Sequence, residues 1–167
     1  MTLALLVGWF VSAPRALPSF AEVRAQWRPS DTLLLDRNGD PLYERRIDLH
    51  GRRLAWTELD EISPALLRAV IASEDRRFYD HHGVDLRAIA GAMLHGGIGG
   101  RSRGASTITM QLAALIDPSI GRGGHRRTIV QKLRQMRAAI AIERRWTKAQ
   151  ILEAYLNLVT WPRESAP

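Results

Sequence analysis

The spacing of apolar positions changes near residue 57. Before it, apolar residues come in short runs: Thr32 to Asp36, Leu42 to Ile47 and Arg53 to Trp56. Between the first two lies Arg37-Asn38-Gly39-Asp40, where Asn-Gly supplies the positive φ angles of a tight turn. This pattern predicts a small β-ribbon over about 32–57. After it the period is helical. Ser63-Pro64 opens a first helix, with Leu66, Leu67, Val70, Ile71 and Phe78 on one stripe. Asp85 caps a second, whose apolar face carries Leu86, Ile89, Ala90, Met93 and Leu94. Gly96 to Gly104 is too rich in glycine for regular structure. Ser106 is expected to cap a third helix carrying Ile108, Leu112 and Leu115. A loop from Asp117 to Gly124 leads to a long fourth helix, about 128–144. Thr147 and Gln150 form a capping box for a fifth, with Ile151, Leu152, Tyr155 and Leu156. The expected fold class is therefore mainly α, with a small β-ribbon near the N-terminus.

Two leading segments stand apart. Residues 1–14 are apolar but shorter than the roughly 20 residues that span a bilayer. They read as the remnant of a membrane anchor, a signal-type apolar core or an interfacial helix. Residues 15–31 read as a connector. An apolar fraction of 46% supports a packed core. The absence of cysteine excludes disulfides, thiolate metal sites and a Cys nucleophile.

Charge sharpens the picture. The net charge is +7, and every cation except Lys132 and Lys148 is Arg, the residue that grips phosphate with a two-pronged fork. Between Arg101 and Arg145 only Asp117 and Glu143 are acidic. That segment suits nucleic acid, anionic lipid or a pyrophosphate. Aromatic residues are sparse within it, which counts against a nucleic-acid reader that stacks bases.

Two polar residues sit on apolar stripes. Glu74 falls in line with Val70, Ile71 and Phe78; a carboxylate set there loses hydration and is suited to accept a proton. A structural carboxylate paired with Arg76 or Arg77 has the same signature. Gln111 falls between Ile108 and Leu115, behind the hydroxyls of Ser106 and Thr107. A helix N-terminus so equipped suits phosphate or sugar, and ordinary capping explains it equally well. His81 and His82 lack a spaced partner cluster, so no metal site is read from them.

The run Glu74-Asp75-Arg76-Arg77-Phe78-Tyr79-Asp80-His81-His82-Gly83 resembles the E-D-x-x-F-x-x-H-x-G signature of family 51 peptidoglycan glycosyltransferases, the polymerising domains of class A penicillin-binding proteins and monofunctional transglycosylases. Gly104 to Gln111 is similar to that family's G-x-S-T-x-x-x-Q, and Thr147 to Asn157 to its S/T-K-x-x-I-L-x-x-Y-L-N. The three stand in the expected order. The third signature, R-K-x-x-E, is altered: Gln131 and Gln135 flank a retained Lys132, and Ala114 stands where a Lys follows the second signature. These departures resemble the 1C type of penicillin-binding protein. The resemblance covers about 32–160, which then reads as a partial glycosyltransferase domain; after Asn157 the chain leaves the pattern, 161–167 reads as an aberrant tail, and a C-terminally truncated member is suggested.

The resemblance implies a lysozyme-like helical domain. It also implies polymerisation of lipid II, in which the acceptor's 4-hydroxyl attacks C1 of the donor and undecaprenyl pyrophosphate leaves. Glu74 is then the expected general base, supported by Asp75, Phe78, His81 and Gly83. Gly104, Ser106, Thr107, Gln111 and Gln135 are expected to line the substrate site. Arg127, Lys132 and Arg134 are expected to offset pyrophosphate charge. The implied partners are lipid II, the growing glycan and the outer face of the bacterial inner membrane, with no nucleic acid. The resemblance leaves room for a divalent cation, for which the sequence shows no ligand cluster. Rival readings are an inactive fragment and a lysozyme-like lytic enzyme. A lytic enzyme has no need of the Arg-rich segment.

Overall fold

The computed structural model describes residues 17–47, 53–96, 106–120 and 129–159. Six α-helices and one β-hairpin make up these residues, so the mainly α expectation holds. Helix α1 spans Phe20–Gln26 within the stretch expected to be a connector. Its cap explains it. The Ser19 hydroxyl accepts the Glu22 N–H, and the Glu22 carboxylate accepts the Ser19 N–H at 2.6 Å. This is a capping box that the sequence carries openly.

Strands β1 (Asp31–Leu35) and β2 (Pro41–Arg46) pair antiparallel, Leu33 opposite Glu44 and Leu34 opposite Tyr43. Gly39 takes φ 91° in the turn, and the Asp36 carboxylate accepts the N–H groups of Asn38 and Asp40. The ribbon is shorter than expected. Arg53 to Trp56 forms no strand, although Arg53 exchanges hydrogen bonds with Ser30. Instead Trp56 is drawn toward the helices, where it stacks edge-on with Phe20 and Trp27.

Helix α2 spans Pro64–Glu74, α3 Leu86–Gly96, α4 Ile108–Ile116, α5 Ile129–Glu143 and α6 Lys148–Leu158. The predicted stripe on α2 runs too far. Leu66 is exposed and Phe78 lies beyond the helix, which stops at Glu74. Asp75 ends it at φ −158°, ψ 77°, because its carboxylate is committed to groups outside the helix. Phe78 is nonetheless fully buried. The side chains of Met93 and Leu94, the glycine-rich stretch from Gly97, residues 121–128 and residues 1–14 lie outside the described residues.

The core gathers where α4, α5 and α6 meet. Ile108, Leu112, Ala139, Ile142, Ile151 and Leu152 are all at most 1% exposed. Apolar burial of this kind contributes about 25 cal/mol per Å² and dominates the stability of such a cluster. Segment 56–59 is clasped onto α6 by polar groups. Glu153 accepts the Trp56 indole N–H at 2.7 Å and the Leu59 N–H at 3.2 Å. Asn157 accepts the Thr57 N–H and donates to the Thr57 carbonyl.

Candidate active site

Glu74 sits at the last residue of α2, half-buried. The Gln111 amide of α4 donates to its Oε2 at 2.9 Å. Gln111 in turn accepts the Tyr155 hydroxyl of α6 at Oε1, 3.2 Å away. Three helices thus meet in one line of hydrogen bonds. Burial, followed by the negative charge of Glu74, pushes the Tyr155 phenol up to about 12. It therefore keeps its proton across the physiological range.

Asp75 faces the other way. Its carboxylate accepts His81 Nε2–H at 3.0 Å and the Ile108 backbone N–H at 3.0 Å. This joins the turn after α2 to the first residue of α4. Both partners are buried, Asp75 at 7% and His81 at 9% exposure. Adjacent acids in sequence are thus separated in role: one carboxylate fastens the site, the other faces a neutral amide.

Gly83 brings that turn close against the backbone of α5. It takes φ 90°, and a Cβ there would lie 2.7 Å from the Ala139 carbonyl carbon and oxygen. Only glycine satisfies both demands. Its carbonyl accepts the Thr107 hydroxyl at 2.6 Å. Thr107, not Ser106, is the N-cap of α4, its Oγ1 accepting the Met110 N–H. Ser106 is left outside the helix, where Lys132 Nζ donates to its Oγ at 2.5 Å.

Phe78 is the floor of the turn. Lys148 lies 4.4 Å above its ring, donates to the His81 carbonyl and pairs with Glu143, each at 2.7 Å. Thr109 also donates to Glu143. A cation at the first residue of a helix opposes the helix dipole. That misfit is the sequence signal for Lys148, and the carboxylate of Glu143 offsets it. Tyr155 went unassigned to the site by sequence reasoning, although a polar tip on an apolar stripe marks it as it marked Glu74 and Gln111.

The remaining expected site residues divide. Gln135 is buried and donates to the Ile120 carbonyl at 3.0 Å, while Arg134 is exposed. Gly104 and Arg127 lie outside the described residues. Beside the turn, an open cavity of about 680 Å³ is lined by residues including Arg77, His81, Asp85, Leu86, Met136 and Ile140. Burial works to raise the Asp85 carboxyl, but the Ala88 N–H and the two-pronged Arg77 contact outweigh it and hold it below its ordinary value. No three His, Asp or Glu among the described residues gather into a ligand set for a divalent cation. Nor is any helix among them long and apolar enough to cross a membrane.

The arrangement offers one carboxylate that faces an amide donor, beside a helix start carrying hydroxyls and a lysine. Known proteins carry a similar chain. A biosynthetic peptidoglycan transglycosylase of Rhodospirillum centenum is 45% identical over 127 residues, covering 74% of this chain and 52% of that protein. The Pseudomonas aeruginosa protein of the same description is 36% identical over 154 residues, covering 92% and 62%. Penicillin-binding protein 1A of Escherichia coli is 44% identical over 114 residues, which are 65% of this chain and 12% of that protein. The chain thus spans between half and two thirds of the length of the two transglycosylases. The family model described as Transglycosylase matches residues 38–166, and the chain belongs to that family.

Proposed function

We propose that this chain carries the catalytic groups of a peptidoglycan glycosyltransferase that extends glycan strands from lipid II and releases undecaprenyl pyrophosphate. Glu74 is the general base that takes the proton of the acceptor's 4-hydroxyl as that oxygen attacks the donor C1. Asp75 and His81 hold the turn that carries it. Ser106, Thr107 and Gln111 border the substrate, and Lys132, with Arg127 and Arg134, offsets the charge on the leaving pyrophosphate. The reaction takes place at the outer face of the bacterial inner membrane, where a lipid-linked sugar is presented. The altered third signature, Gln131 to Gln135, favours the 1C type within the family.

One observation carries this reading. The carboxylate of Glu74 is met by a neutral amide at 2.9 Å, while its neighbour Asp75 is occupied by His81 and Ile108. Glu74 therefore remains available to a substrate hydroxyl. Replacing Glu74 with Gln keeps the shape and removes the base. Glycan synthesis from labelled lipid II is expected to fall by at least about a hundredfold, the lower end for general-base removal, with an unchanged circular dichroism spectrum. Polymer formed at the unsubstituted rate overturns the assignment.

A further inference from the structure

We infer that Tyr155 is a positioning residue for Glu74, acting through the amide of Gln111. The inference rests on the general-base reading above. A glutamine amide has two ends of opposite character, and its two orientations differ by a half-turn. The Glu74 carboxylate, which only accepts, sets the orientation, and the Tyr155 hydroxyl holds the far end of the amide in place. The hydroxyl donates to Gln111 Oε1 at 3.2 Å, and Gln111 Nε2 donates to Glu74 Oε2, 2.9 Å away. The reversed amide sets its oxygen against the carboxylate and loses that bond, although its NH₂ can still donate to the phenol oxygen, so the phenol fixes where the amide sits rather than which way it faces. The phenol remains a donor because burial, helped by the Glu74 charge, keeps it protonated to about 12. Tyr155 itself is 4% exposed and fixed by the core around it.

Among the described residues, several charged groups on the packed elements have other partners. Asp75 meets His81, Arg77 meets Asp85, Glu143 meets Lys148 and Thr109, Glu153 meets Trp56, and Lys132 donates to Ser106. The Gln111 amide is thus a neutral donor held to the Glu74 carboxylate from a third helix.

The test is Tyr155→Phe, which keeps the ring and removes the hydroxyl. The expected result is a fall in kcat of about three- to tenfold, the size that one net hydrogen bond supports. KM is expected to hold within about twofold. The Gln111 side-chain amide resonances, identified by their loss in Gln111→Ala, are expected to move in Tyr155→Phe, whether or not the chain turns over. In a Gln111→Ala background the same substitution is expected to lower kcat no further. Unmoved Gln111 amide resonances in Tyr155→Phe, or an equal fall in kcat with Gln111 absent, overturn the positioning role. Activity in Glu74→Gln overturns the general-base reading instead, while the amide resonances still decide whether Tyr155 holds the group that meets Glu74.

Discussion

Two carboxylates one turn apart, Asp75 and Asp85, are both engaged by neighbours, and Asp85 shows what that engagement does to stability. Its folded-state value lies below the ordinary 3.8, so its contribution is fully present above about pH 4. It is lost as pH falls through the lower folded value. Asp85→Asn removes the Arg77 fork and is expected to lower the urea midpoint at neutral pH. The deficit relative to the unsubstituted protein shrinks over the acid window below about pH 4, where the parent's own carboxylate is protonated. A deficit that stays constant to pH 2 shows that the charge is not what matters. The individual polar residues were the most legible part of the chain. Glu74 and Gln111 stand out because they interrupt apolar stripes, and the structure brings them into contact. Tyr155, the partner of Gln111, carries the same signal more weakly, since tyrosine is at home on an apolar face and the fold shows where its hydroxyl points.

Helices were legible where a cap and a period agreed. The fifth predicted helix starts at Thr147 with its capping box intact, as expected. The third starts one residue later than expected, because Thr107 caps it and Ser106 bonds to Lys132. Either hydroxyl satisfies the local rule; tertiary contacts choose. The ribbon shortened for a similar reason, Trp56 and Thr57 being claimed by α6. Besides its hydrogen bonds, the turn between α2 and α3 relies on a close backbone approach at Gly83. Gly83→Ala must clear the α5 backbone and adopt φ 90° with a side chain. Overpacking and left-handed strain together are expected to cost about 2–4 kcal/mol. Thermal unfolding measured beside Ala139→Gly checks the source: enlarging the space does not recover the loss, because the contact is with α5 backbone atoms.

At the scale of the whole molecule, the excess of cations is the leading feature, with a net charge of +7. Long-range attraction of this kind is screened within about 10 Å at 0.1 M salt. Binding of undecaprenyl pyrophosphate in neutral vesicles is therefore expected to weaken as salt rises. Replacing Arg127 and Lys132 together with Ala is expected to weaken it several-fold at low salt and to flatten that dependence. An unchanged slope assigns the basic segment another purpose. This feature was fully legible in sequence, since charge needs no fold to be counted; the placement of Lys132 beside the α4 start was not.

The clasp between segment 56–59 and α6 also bears on how the chain is made. Trp56 and Glu153 are 97 residues apart, and Thr57 and Asn157 are 100 apart. On a ribosome the first member of each pair is released long before the second exists. The early segment has Phe20 and Trp27 beside Trp56, but it must wait for its α6 partners until that helix has been synthesised and has coiled. Closing so long a loop is entropically slow but costs little more than closing a shorter one. Docking of the N-terminal portion is thus a late event in folding, timed by translation of the helix that receives it.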